Sequence, residues 1–274
     1  MTHGLIYERS VRMIQWMQSY LSPKAAYRLA AICSPWFLLL AFVLLTWGLY
    51  GALYAAPIDY QQGAVYRIIY IHVPCAILSL GLYSVMTVSS FVFLIWKVKV
   101  MDALSYVCSC TGLVFTVLTL ITGSIWGKPT WGAWWVWDAR LTSELILLFI
   151  YIGILALRQA LVHTQMGDKA VSVLVLIGAI NIPIIHYSVD WWQTLHQGAT
   201  ILRLGSPNIA PSMLHPLLLC VAGMIFFSAH LMSLQLRAVL LQRGQNNRWA
   251  KYLQAESFHG SDGVKEEGVS CHGG

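Results

Sequence analysis

Charge is what this sequence has least of. Only 10% of its 274 residues are Asp, Glu, Lys or Arg, against about 25% in a soluble domain, and 58% are hydrophobic. A surface so poor in charge is not built for water, and the mean hydropathy of +0.65 agrees. Six Cys are too few for a secreted disulfide scaffold, and apolar content this high excludes a disordered chain or a coiled coil. Acidic residues number eleven against seventeen basic ones, but the basic excess forms no dense patch, so nucleic acid is not an expected partner. No G-x-x-x-x-G-K-[ST] run occurs, so the chain lacks the loop with which to cradle and hydrolyse ATP.

What is present is a series of long runs free of charge. A hydrocarbon core about 30 Å thick takes roughly 20 apolar residues of helix to cross. Runs without Asp, Glu, Lys or Arg cover Leu29 to Ile58, Ile68 to Trp96, Ala103 to Gly127, Leu145 to Leu157, Ala170 to Val189 and Leu204 to Leu236. The fourth is short. It becomes a span over Leu141 to Val162 if Arg158 snorkels to a headgroup and Glu144 sits at the opposite interface, facing water. The sixth is too long, and Pro207, Pro211 and Pro216 place its helical start near Pro216. The fold class expected is therefore an all-α integral membrane protein of six transmembrane helices, with its lipid neighbours as solvent.

Lys and Arg orient it. Thirteen, among them Arg9, Arg12, Lys97, Lys99, Arg158 and Arg243, fall on the face that holds both termini. The other face holds four: Arg67, Lys128, Arg140 and Arg203. Both ends are thus expected in the cytoplasm. The division is a cytoplasmic segment at 1–28, a membrane domain at 29–236 with outer connections near 59–71, 126–143 and 187–215, and a tail at 237–274 expected to be partly disordered. No cleavable signal peptide is expected, because a polar and amphipathic segment precedes a first run long enough to span. Cys33, Cys75, Cys108, Cys110 and Cys220 lie in or beside spans, so no structural disulfide is expected, and Cys108 with Cys110 reads as packing. The terminal Ser-Cys-His-Gly-Gly, with Cys271, lacks the second Cys of a haem-attachment motif.

Aromatic residues are distributed unevenly. The chain has twelve Trp, and the middle outer connection, WGKPTWGAWWVWDARLTS, holds Trp126, Trp131, Trp134, Trp135 and Trp137. Gly127 and Pro129 break the incoming helix in this reading. Thr130 then caps a short interfacial helix on which Trp131, Trp134 or Trp135, and Asp138 share a face. An interfacial belt takes one or two rings per helix end. Five suggest a flat apolar platform for a large planar ligand. Four His lie at or near the same face: His72, His186, His196 and His215. Two imidazoles from opposite sides of a Trp platform suit the iron of a porphyrin, and Arg67 and Arg140 suit its propionates. Arg203 reads as a headgroup contact. Which His pair is used stays open at this level. Asp138 and Asp190 stand beside Trp clusters, and either can orient a His through its second nitrogen. Helix capping or an ion pair with Arg140 is the commoner role for Asp138. His230, the main ionisable group inside a span, reads as packing.

At these residues the runs DYQQGAVYRIIYIHVP, GSIWGKPTWGAWWVWDARLTSELILLFIYIG and NIPIIHYSVDWWQTLHQG resemble the CcmC family, the haem-handling membrane subunits of cytochrome c maturation, whose Trp-rich loop is the WWD signature. The resemblance spans about Asp59 to Gly198. It implies haem b bound on the outer, periplasmic face of a bacterial inner membrane, on the Trp-rich loop, with His72 and His196 as axial ligands and His186 structural. It further implies transfer of haem to the chaperone CcmE, and work beside the ATP-binding cassette pair CcmA and CcmB and the small protein CcmD. The chain itself is then a haem-handling subunit and not an enzyme. Two other readings compete: a membrane b-type cytochrome that shuttles electrons, and a permease for another ligand.

Overall fold

The computed structural model describes residues 22–161, 165–196 and 209–253. The readings made for Arg9, Arg12, Arg203, Cys271 and the tail after residue 253 lie outside the described residues; the tail's first part, 237–253, is largely helical. Seven helices make six passes long and apolar enough to cross a membrane, and no strand is present among the described residues. The chain is an all-α, multi-pass membrane protein.

Helix α1, Pro23–Tyr50, opens on Ser22, whose Oγ accepts from the Ala25 amide at 3.2 Å, with Pro23 at the first helical position. A π-helical turn, Gly51–Ala55, closes the pass. Its wide faces carry Trp36, Phe42 and Trp47, all exposed, as suits contact with lipid. One stripe packs on α7, Pro211–Gly244, through small residues. A Cβ added to Gly48 would lie 2.8 Å from Cys220 Sγ, and one on Gly223 2.8 Å from Leu45 Cγ. Glycine lets the two backbones approach, as in membrane helix pairs generally. His230 of α7 meets Ser34 of α1, Nδ1 lying 2.9 Å from both Oγ and the carbonyl oxygen, in keeping with its packing role.

Helices α2, Ile69–Trp96, and α3, Lys99–Trp131, form a hairpin closed by Lys97 in the left-handed region at φ 57°. Helix α4, Ala139–Ala160, packs on α3. The fifth pass is not one helix: α5, Gln165–Gly178, gives way to α6, Asn181–Trp191. Asn181 is buried at the break, its Nδ2 donating to the Ser143 carbonyl at 2.9 Å. That bond ties the half-helix to α4. The core lies among α2 to α6, around Tyr83, Tyr151, Leu147 and Ile185.

Four expectations are corrected here. No separate interfacial helix forms in the Trp-rich connection, because α3 runs through Gly127 and Pro129. The Thr130 hydroxyl bonds back to the Trp126 carbonyl at 2.7 Å, and Gly132, at φ 80°, ends the helix. Residues 132–138 are irregular. The last pass starts at Pro211, with Pro216 inside its second turn, where the ring still meets a helix start with few amides to lose. Arg158 does not snorkel: its guanidinium forks onto the buried carboxylate of Asp102, at 2.9 and 3.2 Å. Glu144 does not face water. It is buried and accepts from Ser79 Oγ at 2.8 Å.

Candidate functional site

The ends of α2, α3, α4 and α6 on the side of the Trp-rich connection converge beneath it. A cleft there is lined by His72, Ala76 and Leu80 of α2, Thr119, Leu120 and Gly123 of α3, Arg140, Leu141 and Glu144 of α4, Ile185 of α6, and His196. From His72 to Leu80 it descends about 12 Å along α2. Its enclosed volume is about 50 Å³, far below a pocket that swallows a ligand whole.

His72 is set in the first turn of α2. Its Nδ1 lies 3.0 Å from Thr122 Oγ1. The one hydroxyl hydrogen of Thr122 goes to the Leu118 carbonyl at 2.7 Å, so the imidazole is the donor and its Nε2 keeps a lone pair. Trp126, one turn on from Thr122, sets its ring edge-on to the imidazole, 5.6 Å between centroids at 77°. The indole N–H donates to Gln62 at 2.7 Å. Gly123 makes room, since a Cβ there would lie 3.2 Å from His72 Cε1.

His196 stands five residues past the end of α6 and is fixed by charge. Its Nδ1 lies 2.8 Å from Asp138 Oδ2. Asp138 caps α4, its Oδ1 accepting from the Leu141 amide at 2.8 Å, and also accepts from the Thr194 hydroxyl. The His196 amide donates to that same hydroxyl at 3.1 Å. Burial alone would raise the Asp138 carboxyl, but hydrogen bonds from His196, Thr194 and Leu141 outweigh it and hold its pKa at about 2. An ionised carboxylate only accepts, so His196 donates through Nδ1, and in the neutral ring Nε2 carries the lone pair. Trp131 supplies the edge contact here, 4.8 Å between centroids at 64°.

Of the predicted residues, His72, His196 and Arg140 line the cleft, and Trp126, Trp131 and Asp138 brace the two His. The Arg140 guanidinium makes no hydrogen bond or ion pair with any described residue, its carbonyl accepting from Ser143 Oγ at 3.1 Å, and it is the one guanidinium in the cleft wall. Arg67 lies in the turn before α2, half-buried with its Nε unpartnered, and does not line the cleft. Trp134 and Trp137 are exposed, and Trp135 crosses Trp137 at 78°, so the five rings are not one flat platform. His186 packs on Tyr187 and His215 is exposed on α7, both away from the cleft. No group of three or more His, Cys, Asp or Glu among the described residues could hold a bare metal ion. Any metal held between two imidazoles would bring its remaining donors with it. Thr122, Gly123, Thr194, Ser79 and Glu144 were invisible as site residues, because each is defined only by a partner from another helix or connection.

This constellation falls inside the stretch that a family profile matches. The family profile described as CcmC, heme exporter protein C, matches residues 16–251. The chain belongs to the CcmC family. Heme exporter protein C of Haemophilus influenzae is 45% identical over 241 residues, 88% of this chain and 98% of the relative. Its namesake in Escherichia coli K12 is 45% identical over 231 residues, 84% and 93% of the two chains. That of Bradyrhizobium diazoefficiens is 43% identical over 216 residues, 78% and 82%. Every described residue of the CcmC-family cleft lies within the matched stretch.

The clamp on His196 has a pH signature. A carboxyl depressed from 3.8 to about 2 stabilises the fold above pH 3.8, and that contribution is lost as pH falls toward 2. With solvent screening allowed for, it is worth about 1–2 kcal/mol. The stability difference between wild type and Asp138→Asn, read from thermal unfolding in detergent, is expected to be flat from pH 7 to about 4 and to vanish near 2. A difference that faded already between pH 7 and 5 would refute the ionised clamp.

Proposed function

We propose that the chain binds haem b at the outer, periplasmic face of the bacterial inner membrane and presents it for cytochrome c maturation. One observation carries the reading: two His on one cleft each have Nδ1 engaged as a donor, which leaves both Nε2 atoms available to a metal. The name of these relatives, heme exporter protein C, supports the same cargo. Haem would supply four equatorial nitrogens to the iron, and this chain the two axial ones, His72 and His196. Two axial His leave iron no open position, which suits storage and transfer over oxygen chemistry. Arg140, the guanidinium in the cleft wall, pairs a propionate, and Arg67 is the second candidate at the same face. Trp126 and Trp131 hold the imidazole planes, while Trp134, Trp135 and Trp137 with Asp138 complete the WWD loop around the mouth.

A cleft this narrow cannot enclose the macrocycle, so haem sits at the mouth and the irregular 132–138 connection gives way to admit it. One edge then stays open to an acceptor. That acceptor is the chaperone CcmE in this proposal, with CcmA, CcmB and CcmD as the remaining partners. The chain performs no chemistry of its own, and a partner ATPase drives release. Electron-transfer cytochromes keep their His pairs inside the bundle, whereas His72 is in the first turn of a helix and His196 follows the end of one.

The full chain, purified and recorded oxidised and reduced, is expected to show low-spin haem with two His ligands, and the double variant His72→Ala/His196→Ala none. A wild-type chain without haem absorbance, or a double variant that keeps the wild-type spectrum, removes the proposal. Arg140→Gln is expected to weaken haem retention about tenfold, a loss near 1.4 kcal/mol, without changing the low-spin spectrum.

A further inference from the structure

The two imidazoles are held by unlike partners. Behind His196 stands the Asp138 carboxylate at 2.8 Å. It is itself locked by the Leu141 amide and the Thr194 hydroxyl, and that hydroxyl is locked by the His196 amide. The carboxylate cannot turn away. Behind His72 stands a neutral hydroxyl at 3.0 Å, Thr122, whose hydrogen is committed to Leu118. A carboxylate that draws on the Nδ1 proton raises the donor strength of Nε2, and a neutral hydroxyl does so far less. Their mobility differs in the same direction. His72 belongs to a helix, wedged between Gly123 and Trp126, and cannot follow an iron that moves. His196 and Asp138 sit on two connections that are bonded to each other.

Building on the haem reading above, we propose that the two axial bonds are unequal: His196, backed by Asp138, is the durable ligand, and the His72 bond is the one that opens. Regulation of release then lies on the α2 side of the cleft. Asp138 and Thr122 are positioning residues in this scheme, acting on iron only through the imidazoles they hold.

The test compares His72→Gly and His196→Gly in the purified full chain, with haem content and spectra recorded with and without imidazole. His72→Gly is expected to keep at least half of the wild-type haem in five-coordinate form, and added imidazole to restore the six-coordinate spectrum. His196→Gly is expected to hold at least fivefold less. In the His72→Gly background, Asp138→Asn should lower haem retention about tenfold and Asp138→Glu should recover part of it. Thr122→Val in the His196→Gly background should lower retention by less than the tenfold expected for Asp138→Asn. Equal or reversed retention in the two Gly variants overturns the proposal.

A chain that keeps both His provides the second measurement. Carbon monoxide added to the reduced protein displaces the weaker ligand. Thr122→Val is therefore expected to raise carbon monoxide affinity at least threefold, and Asp138→Asn to raise it less. If Asp138→Asn raises it more, the His196 bond is the one that opens and the proposal is wrong. Absence of haem from the wild-type chain would instead remove the haem reading itself, and both single Gly variants keeping the wild-type six-coordinate spectrum would remove axial ligation.

Discussion

Asp102→Ala is expected to lower the unfolding free energy by about 3–5 kcal/mol, the cost of leaving a buried ion without its partner. Asp102 is 1% exposed in the first turn of α3, where the helix dipole favours a carboxylate. It binds Arg158 of α4 at 2.9 and 3.2 Å and Arg243 of α7 at 2.7 Å. One carboxylate thus closes three helices at the end of the bundle opposite the Trp-rich connection. Its loss falls unequally on the two cations. Arg243 is 39% exposed and can turn to water, whereas Arg158 is 10% exposed and keeps a 3.7 Å contact with Asp168 and the Tyr106 ring at 5.5 Å. The double variant Asp102→Leu/Arg158→Met is therefore expected to recover most of the loss, since neither charge remains buried. Thermal unfolding in a fixed detergent reads both changes. A single variant within 1 kcal/mol of wild type would show that water reaches Arg158 easily.

That cluster also marks what the sequence could not reveal. The six passes were legible because a helix in hydrocarbon must be apolar over its whole length, and six charge-free runs say so without reference to partners. Arg158 read as snorkelling because its partner lies 56 residues away on another helix, and only the fold puts them together. The break at Asn181 was masked by the apolar run around it: Asn181 and Pro183 are its only marks, and the Asn is defined by the Ser143 carbonyl it reaches. In the Trp-rich connection Gly127 and Pro129 looked like helix breakers. A Pro in the last turn costs one amide bond, and Gly127 serves instead to admit the Trp131 ring, 2.9 Å from where a Cβ would stand. The capping role of Asp138 was readable from the residues that follow it. That it could orient a His was readable as well, but not that the His is His196, for the same reason as with Arg158.

Gly112→Val is expected to cost about 3–5 kcal/mol and to disturb the cleft from a distance. Any Cβ on Gly112 would overlap the Tyr151 ring and hydroxyl, and Tyr151 is fully buried. Overpacking of this kind costs about 1–3 kcal/mol. The displaced hydroxyl would lose its bond to the Ser79 carbonyl at 2.9 Å, and leaving it unpaired adds about 1–3 kcal/mol. The effect does not stop there. Ser79 is the residue whose hydroxyl holds Glu144 in the cleft wall, so Gly112, Tyr151, Ser79 and Glu144 form a chain of contacts from α3 through α4 and α2 to the site. Tyr151→Phe removes only the hydroxyl bond and is expected to cost about 1 kcal/mol. Tyr151→Ala creates the space Gly112→Val requires, so in the combined variant the two losses should add to less than their sum by 1 kcal/mol or more. Unfolding measured across that cycle, with haem retention recorded on the same samples, separates packing from transmission. If Gly112→Val lowers stability while haem retention keeps its wild-type value, the contact chain is structural support alone, and the cleft is insulated from the core beneath it.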